Sequence, residues 1–323
     1  MAKKKVLLFS DFGVDDIVAA LYAYYSEEIE IVGVVADYGN VSKRDAIRNV
    51  KFIQEKTGIS DIPVFGGAFS PLTGIPPVYY TNVHGPAGLG SIIPENYHDH
   101  MDLENFYEVT SLIDEYKDEI IIYSAGRLTS LATLFVLYPE KIKEIKEFYL
   151  MGGAFQSPGN VTPVAEANFY SDPYAANLVL QLSPKQIHIV PLDVTRYAIL
   201  TPQMIDQLND YYTEAKDEAG MLIKPMVDYY YDFYKKSQPD ILGAPLHDLL
   251  AMWTITQDPS VQFKEVPVKV SVNSGSTFGQ SSGDFRESSP KAAWPIHKVA
   301  LSFNYKTFVE QIFATLTSGP SRG

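Results

Sequence analysis

The chain has 323 residues, carries a net charge of −13 and contains no cysteine. Its hydrophobic content of 46% supports a sizeable core, which excludes a disordered protein. The acidic balance, without any basic stripe, argues against a nucleic-acid partner, and the lack of cysteine excludes disulfides and thiolate catalysis. No apolar run approaches the roughly 18 residues of a membrane span, and the first run is too short for a signal peptide. We therefore expect a cytoplasmic protein that does not associate with membranes.

The first predicted strand, Lys5–Leu8, is followed by a turn that carries three carboxylates and leads into an apolar-faced helix. The carboxylates belong to Asp11, Asp15 and Asp16, and Gly13 lets the chain bend between them. Carboxylates this close raise one another's pKa unless a cation joins them. The turn therefore predicts either a site for a hard divalent cation, Ca²⁺ before Mg²⁺, or simple helix capping with solvated surface charge.

Strands and helices alternate along the chain, which predicts an α/β fold with a mainly parallel central sheet and helices on both faces. Right-handed crossovers would bring the loops that follow the strands to one edge of the sheet. The further expected strands are Ile29–Val35, Ile62–Phe65, Glu119–Tyr123, Glu147–Leu150, Gln186–Val190, Val268–Val272 and Ile296–Phe303. The further expected helices are Ser42–Gly58, Leu128–Leu137, Asp172–Leu182 and one that begins at Tyr305.

Two segments depart from this alternation. Residues 66–96 are rich in glycine and proline and predict a long loop of the kind that often carries function. Residues 201–257 predict a helical excursion with an aromatic cluster from Tyr229 to Tyr234. We find neither a repeat nor a linker, so we expect one domain over residues 1–317 and a disordered tail over residues 318–323.

Short motifs follow the predicted strands in a fixed order. They are the turn Phe9–Asp16, Gly39-Asn40, Asn49, Pro63–Gly67, His84–Gly90, Met151–Phe155, Gly159–Asn168, Asp172–Ala176 and Leu246-His247-Asp248. Taken singly, each has an ordinary structural explanation, such as a turn asparagine or a buried histidine. Taken together and in this order, the motifs make the chain resemble the inosine-uridine preferring nucleoside hydrolases over nearly its whole length.

The resemblance implies Ca²⁺-dependent hydrolysis of the N-glycosidic bond of ribonucleosides to free base and ribose, with a metal-bound water activated by Asp11. The implied metal ligands are Asp11, Asp16, Asp248 and the backbone carbonyl of Ala125. The residues implied to bind the ribose are Asp15, Asn40, Asn160, Glu166 and Asn168. The resemblance also implies a homodimer or homotetramer and a role in purine or pyrimidine salvage.

The departing base needs a proton, and His247, next to the implied ligand Asp248, is the candidate acid, with His84 as a second. Tyr231, in the aromatic cluster, is expected to contact the base, although such residues also form ordinary core stripes.

Four residues depart from the family pattern: Phe9 replaces an aspartate, Phe12 a proline, Arg127 a proline and Ser130 an asparagine. Phe12 is expected beside the ribose pocket and Arg127 near the site, so the base preference stays open. Phe9 and Phe12 motivate an alternative function, a catalytically impaired Ca²⁺-dependent protein that binds nucleoside or ribose. A dinucleotide-binding enzyme and a phosphotransferase are disfavoured because the chain has neither a Gly-x-Gly-x-x-Gly after its first strand nor a P-loop.

Overall fold

The computed structural model describes residues 2–94, 102–287 and 290–319, which form a nine-stranded sheet, a separate two-stranded sheet and flanking helices. The strands are β1 Lys4–Ser10, β2 Ile29–Ala36, β3 Val64–Gly66, β4 Ile121–Ser124, β5 Glu147–Met151, β6 Ile187–Val190, β7 Ile199–Leu200, β8 Ala244–Pro245, β9 Gln262–Val270, β10 Ser281–Gly283 and β11 Ile296–Ser302. The first helices are α1 Val14–Tyr25, α2 Lys43–Thr57, α3 Thr81–His84, α4 Val109–Glu115, α5 Thr129–Leu137, α6 Pro139–Lys143 and α7 Ala167–Ser171. The others are α8 Pro173–Leu182, α9 Leu192–Thr195, α10 Pro202–Ala215, α11 Ile223–Ser237, α12 His247–Thr254 and α13 Tyr305–Leu316.

The large sheet has the strand order β10-β9-β11-β6-β5-β4-β1-β2-β3. The seven strands from β11 to β3 pair in parallel, and β9 is antiparallel to both of its neighbours. Strands β7 and β8 pair antiparallel in the small sheet. The predicted α/β fold with a mainly parallel sheet is thus confirmed.

The sheet separates two hydrophobic cores, and β1 shows why. Val6 and Leu8 lie in one core, whereas Leu7 and Phe9 lie in the other, because successive side chains of a strand point to opposite faces. Helices α1, α2 and α10 to α13 cover the first core, and α4, α5, α6 and α8 cover the second. Each fully buried aliphatic or aromatic side chain contributes about 1.5–3 kcal/mol, so both faces stabilise the central strands.

The structure differs from the prediction mainly at the sheet edge. Strand β9 begins at Gln262 rather than Val268, and the short strand β10 was not expected. The first half of β9 is mostly polar and Pro267 follows it, both of which argue against a strand from sequence alone. Pro267 is tolerated because β10 pairs only with residues 268–270 of β9.

Three smaller expectations concern segments outside the sheet. The long loop predicted over residues 66–96 contains the short helix α3, and residues 95 and 96 lie outside the described residues. Residues 320–323 of the predicted tail also lie outside them, and the domain boundary at residue 317 stays a prediction. Within the described ranges, we find no helix long and apolar enough to span a bilayer.

Candidate active site

A cavity of about 900 Å³ lies at the carboxyl edge of the sheet, where the loops after β2, β4 and β5 meet helices α11 and α12. This position is where open parallel sheets bind their ligands, and the volume suits a small-molecule ligand. The predicted site residues that line it are Asp15, Asn40, His84, Ala125, Asn160, Glu166, Asn168, His247 and Asp248. The fold therefore brings together side chains that are far apart in the sequence.

Two helix N-termini bring carboxylates to this region, and of these Asp15 and Asp248 line the cavity whereas Asp16 does not. Asp15 and Asp16 lie in the first turn of α1, and Asp248 lies in the first turn of α12. Asp16 also caps its helix, since its carboxylate accepts hydrogen bonds from the Ser10 hydroxyl at 2.6 Å and the Gly13 N–H at 3.0 Å. The positive ends of both helix dipoles favour negative charge at these positions.

The carboxylates of Asp15, Asp16 and Asp248 form a buried cluster whose ligand oxygens lie within 4.8 Å of one another. Burial raises the pKa of all three groups, that of Asp15 to about 7, and repulsion between neighbouring carboxylates adds to the shift. Oδ1 of Asp15 is buried and receives no hydrogen bond from any described residue. An unpaired buried oxygen among mutually repelling carboxylates fits a hard cation held by oxygen ligands.

Asp11 lies next to this cluster but is held by other partners. Its Oδ2 accepts hydrogen bonds from the Asn40 backbone N–H at 2.7 Å and from Nη1 of Arg127 at 2.8 Å. Its Oδ1 accepts one longer bond, from the Asn40 side-chain amide at 3.2 Å. The preceding Gly39 is needed for this packing, because a Cβ there would overlap the Asp11 carboxylate.

The loop after β5 supplies the polar wall of the cavity. The Glu166 carboxylate caps α7 by accepting the backbone N–H groups of Asn168 at 2.8 Å and Phe169 at 3.2 Å. It also accepts the Gly153 N–H at 2.8 Å, which ties the end of β5 to the start of α7. Burial raises the pKa of Glu166, and these backbone donors oppose the shift.

Two asparagines of this wall are similarly oriented by the backbone. The Asn168 amide nitrogen donates to the carbonyl oxygens of Ala125 at 2.7 Å and Met151 at 3.1 Å. The Asn160 side-chain oxygen accepts the Ala167 N–H at 2.9 Å. Both side chains are therefore fixed before any ligand arrives.

The opposite end of the cavity is lined by one face of α11. Tyr230, Phe233, Tyr234 and Ser237 follow the i, i+3, i+4, i+7 spacing of a single helical stripe, and all four line the cavity. Tyr231 lies off this stripe, and its hydroxyl donates to the Ile241 carbonyl. Tyr231 is thus not among the residues that line the cavity, whereas Tyr230 and Tyr234 are, and the contact with the base stays a prediction. The i, i+3, i+4, i+7 spacing of the four lining residues is present in the sequence and could have identified this face of the helix.

A chain of hydrogen bonds connects this face to the acidic cluster. The Tyr230 hydroxyl donates to Oδ2 of Asp15 at 3.3 Å and lies 3.4 Å from the Tyr234 hydroxyl. Tyr234 is hydrogen-bonded to Nε2 of His247 at 3.1 Å, and Nδ1 of His247 pairs with the Thr195 hydroxyl at 2.8 Å. Thr195 and Tyr234 were not predicted as site residues.

Burial keeps Tyr234 and His247 uncharged near neutral pH. Burial lowers the pKa of His247 to about 3, and the positive charge of Arg196 adds to the shift. Burial raises the pKa of the Tyr234 phenol. Tyr234 is therefore a phenol that can donate a hydrogen bond, and His247 is a neutral imidazole.

His84, the second predicted acid, has a structural partner. Its Nδ1 accepts the Val14 N–H at 3.1 Å at the start of α1, and burial lowers its pKa to about 4. Its ring packs against Tyr230, with the ring centroids 5.4 Å apart. Gly13 makes room for it, because a Cβ at that position would meet the imidazole. His84 thus joins α3 to the acidic turn.

The residues that depart from the family pattern have different environments. Phe12 adopts φ 52°, a left-handed conformation that the ring of a proline forbids, and its side chain packs in the core. The expectation that Phe12 lies beside the ribose pocket is therefore wrong. Phe9 is also a core residue, and the Ser130 hydroxyl donates to the Asp37 carboxylate. Of the four departures, Arg127 is the one that lines the cavity.

Residues 6–310 match the sequence model of the family described as "Inosine-uridine preferring nucleoside hydrolase". The chain belongs to this family. It is 32% identical over 306 residues to "Inosine-uridine preferring nucleoside hydrolase" of Leishmania major, covering 93% of this chain and 94% of that one. It is 32% identical over 268 residues to "Uridine nucleosidase 1" of Arabidopsis thaliana, covering 83% of this chain and 78% of the relative.

A solved structure gives the same result for this nucleoside hydrolase. "Purine-Preferring Ribonucleoside Hydrolase from Gardnerella vaginalis" superimposes with a TM-score of 0.86 at 29% identity and covers 98% of both chains. The predicted family and the predicted enzyme class, a nucleoside hydrolase, are thus confirmed.

Proposed function

We propose that this nucleoside hydrolase cleaves the N-glycosidic bond of inosine- or uridine-type ribonucleosides in a Ca²⁺-dependent reaction that yields free base and ribose. The observation that supports the proposal is a single cavity with two ends of different chemistry. Buried carboxylates and oriented amides form one end, and the tyrosine face of α11 forms the other. Such a cavity suits a ligand with a polyhydroxyl sugar and a planar base.

The cation would be held by Asp11, Asp16, Asp248 and the carbonyl of Ala125, since Asp16 and Asp248 belong to the buried cluster, Asp11 interacts with Asp16, and Ala125 lines the cavity. Asp15 and Asn40, which also line the cavity, would contact the sugar. Ca²⁺ accepts carboxylate and carbonyl oxygens in a flexible number and geometry, whereas Mg²⁺ requires nearly ideal octahedral coordination. Such a ligand set therefore favours Ca²⁺. When bound, the ion supplies Lewis-acid activation of an oxygen ligand and compensates the buried negative charge.

The protein's own groups then align the sugar and move a proton. Asn160, Glu166 and Asn168 line the cavity wall and would contact the sugar hydroxyls, which fixes the anomeric carbon. Asp11 would accept the proton of the attacking water on the face opposite the base. Its less engaged oxygen, Oδ1, is the one available for that proton.

The departing base would receive its hydrogen bond or proton from the tyrosine end of the cavity. Tyr234 is protonated at neutral pH, and its hydroxyl is hydrogen-bonded to Nε2 of His247. The two residues would therefore act together as the hydrogen-bond donor to the base, and the Thr195 hydroxyl orients the imidazole through Nδ1. In the unliganded protein His247 acts as a neutral partner of this pair rather than as an imidazolium.

One observation favours a second candidate function, the impaired nucleoside- or ribose-binding protein. The Asp11 carboxylate is ion-paired with Arg127, and both side chains are fully buried. The ion pair therefore engages the same carboxylate that is proposed to accept the proton of the attacking water. This candidate predicts riboside binding without release of ribose.

A reducing-sugar assay separates the two functions. We expect the purified protein to release ribose from inosine or uridine, with adenosine and cytidine as the comparison substrates. Exhaustive chelation should abolish the release and added Ca²⁺ should restore it. Calorimetric binding of a riboside without ribose release would establish the binding protein instead, and full activity after chelation would contradict the Ca²⁺ dependence.

Ca²⁺ affinity should depend on pH. Because burial raises the pKa of Asp15 to about 7 and those of Asp16 and Asp248 above their usual range, protons compete with the ion for the cluster near neutral pH. We expect the apparent affinity to fall by about tenfold or more per pH unit as the pH drops below 7, since each such unit adds one pKa unit of competition. Calorimetric titrations at pH 5, 6, 7 and 8 would show this, and a flat profile would contradict the assigned cluster.

Three further properties rest on the family resemblance. A homodimer or homotetramer, a cytoplasmic location and a role in salvage stay predictions. The relatives' names include uridine, inosine-uridine and purine preferences, so base preference has to be measured directly.

A further inference from the structure

Arg196 is a cation at the tyrosine end of the cavity. It follows α9 directly, is half-buried, and lines the cavity together with Tyr234 and His247. Burial dominates the pKa of both of these side chains, and the positive charge of Arg196 also acts on both, in each case lowering the pKa. The guanidinium therefore lies close to them, at the end of the cavity that we assign to the base.

Backbone oxygens, rather than a carboxylate, hold the guanidinium in place. Its Nε donates to the Leu192 carbonyl at 3.2 Å, and its Nη2 donates to the Pro158 carbonyl at 2.9 Å. Among the residues that the structure describes, no carboxylate forms an ion pair with Arg196, and none accepts a hydrogen bond from its Nη1. Arg196 therefore offers a ligand in the cavity an uncompensated positive charge and the N–H donors of Nη1.

The same segment also anchors the loop that carries Asn160. The Asp193 carboxylate accepts the backbone N–H groups of Phe155 at 2.8 Å and Gln156 at 2.6 Å. Asp193 and Arg196 thus hold this loop at two points, but Asp193 does not line the cavity. A substitution at Asp193 therefore loosens the loop without changing the charge at the base end.

The chemistry of the departing base gives this cation a role. When the bond between the anomeric carbon and the base nitrogen breaks, its electron pair stays on the base. Water supplies the oxygen that bonds to that carbon, and its proton passes to Asp11, as proposed above. In hypoxanthine and uracil the charge on the base spreads onto a ring carbonyl oxygen, where adenine and cytosine carry an amino group instead. A guanidinium only donates hydrogen bonds, so it suits the oxygen and not the amino group.

We propose that Arg196 is a specificity-determining residue whose Nη1 donates to the carbonyl oxygen of the base and so selects inosine and uridine over adenosine and cytidine. The inference rests on the proposed function, because it places the base at the tyrosine end of the cavity. The bond strengthens as charge develops on the oxygen, so it stabilises the transition state more than the bound substrate. Loss of Arg196 should therefore lower kcat as well as raise KM.

The measurement is kcat/KM for the four nucleosides. Arg196→Met should lower kcat/KM for inosine and uridine about tenfold or more relative to adenosine and cytidine, the effect of losing a hydrogen bond to a charged group. Adenosine and cytidine are affected less because their amino groups cannot accept that bond. Arg196→Lys keeps a cation at this position and should retain part of the selectivity.

Asp193→Ala is the matched control, because it removes the other anchor of the loop. It should lower kcat/KM for all four nucleosides by the same factor. If Arg196→Met also lowers all four equally, Arg196 only anchors the loop and the proposal fails. Thermal unfolding checks that each variant is folded. If Arg196→Met is not, Arg196→Gln, which lacks the charge but can still donate to Pro158, is measured in the same way.

Calorimetric binding of inosine and adenosine separates this inference from the proposed function. A wild-type protein that releases no ribose would refute the hydrolysis reaction. A loss of inosine affinity in Arg196→Met without a matching loss of adenosine affinity would still support the role of Arg196. Equal changes in affinity for the two nucleosides would overturn it.

Discussion

Asp11→Asn should abolish turnover while the fold and the Ca²⁺ site persist. The asparagine side chain has the same size, and its oxygen can still accept from Arg127 and the Asn40 backbone N–H. It cannot take a proton from water, and loss of a positioned base typically lowers kcat about 10²–10⁴-fold. The measurement is kcat for inosine or uridine at saturating Ca²⁺, so that altered metal affinity does not contribute.

A matched control comes from an Asp–Arg pair outside the cavity. Asp284 pairs with Arg286 at 2.7 Å, and neither residue lines the cavity. Asp284→Asn should therefore leave kcat near the wild-type value. If Asp11→Asn also keeps a near-normal kcat, Asp11 is not the proton acceptor and the base has to be sought elsewhere among the buried carboxylates.

His247→Ala should slow the hydrolysis of inosine or uridine about 10²-fold or more if His247 assists proton transfer to the leaving base, as proposed above. It should slow a p-nitrophenyl riboside far less, since that leaving group departs without a proton. Tyr234→Phe should show the same substrate-dependent loss, because Tyr234 and His247 are bonded to each other at 3.1 Å. The measurement is the ratio of kcat values for the two substrates in each variant.

Tyr231→Phe is the control for these substitutions, since it removes a hydroxyl from the same helix that donates to the Ile241 carbonyl. Its effect should be small and equal on both substrates. Equal losses on both substrates in His247→Ala would mean that the residue shapes the pocket, and the acid would then be sought at His84 or among the other tyrosines.

The fold was largely predictable from local patterns in the sequence. Apolar strands followed by capped helices, such as the Ser42-capped α2 ended by Gly58, indicate α/β units without any knowledge of contacts. That architecture also predicts that the loops after the strands gather at the carboxyl edge of the sheet, where Asn40 and Glu166 line the same cavity. The polar first half of β9 was not predicted as a strand, because it is stabilised by pairing with β11 rather than by its own composition.

Within the site, the sequence indicated which residue types gather but not how their charges pair. The acidic turn at residues 11–16 predicts a cation, yet it does not show which of its carboxylates that cation would meet. Nor does it show that Asp11 pairs with Arg127, which lies 116 residues away along the chain and reaches it through the adjacency of β4 and β1. Tyr231 and Tyr234 are likewise the same residue type in the same helix, and the sequence does not distinguish them. The structure does, because the Tyr234 hydroxyl is bonded to His247 and the Tyr231 hydroxyl to the Ile241 carbonyl. The sequence by itself thus determined the sheet, its functional edge and the residue types at that edge. The ion pairs and the face of α11 that lines the cavity were decided by the tertiary structure, because both depend on distances between side chains that no local pattern records.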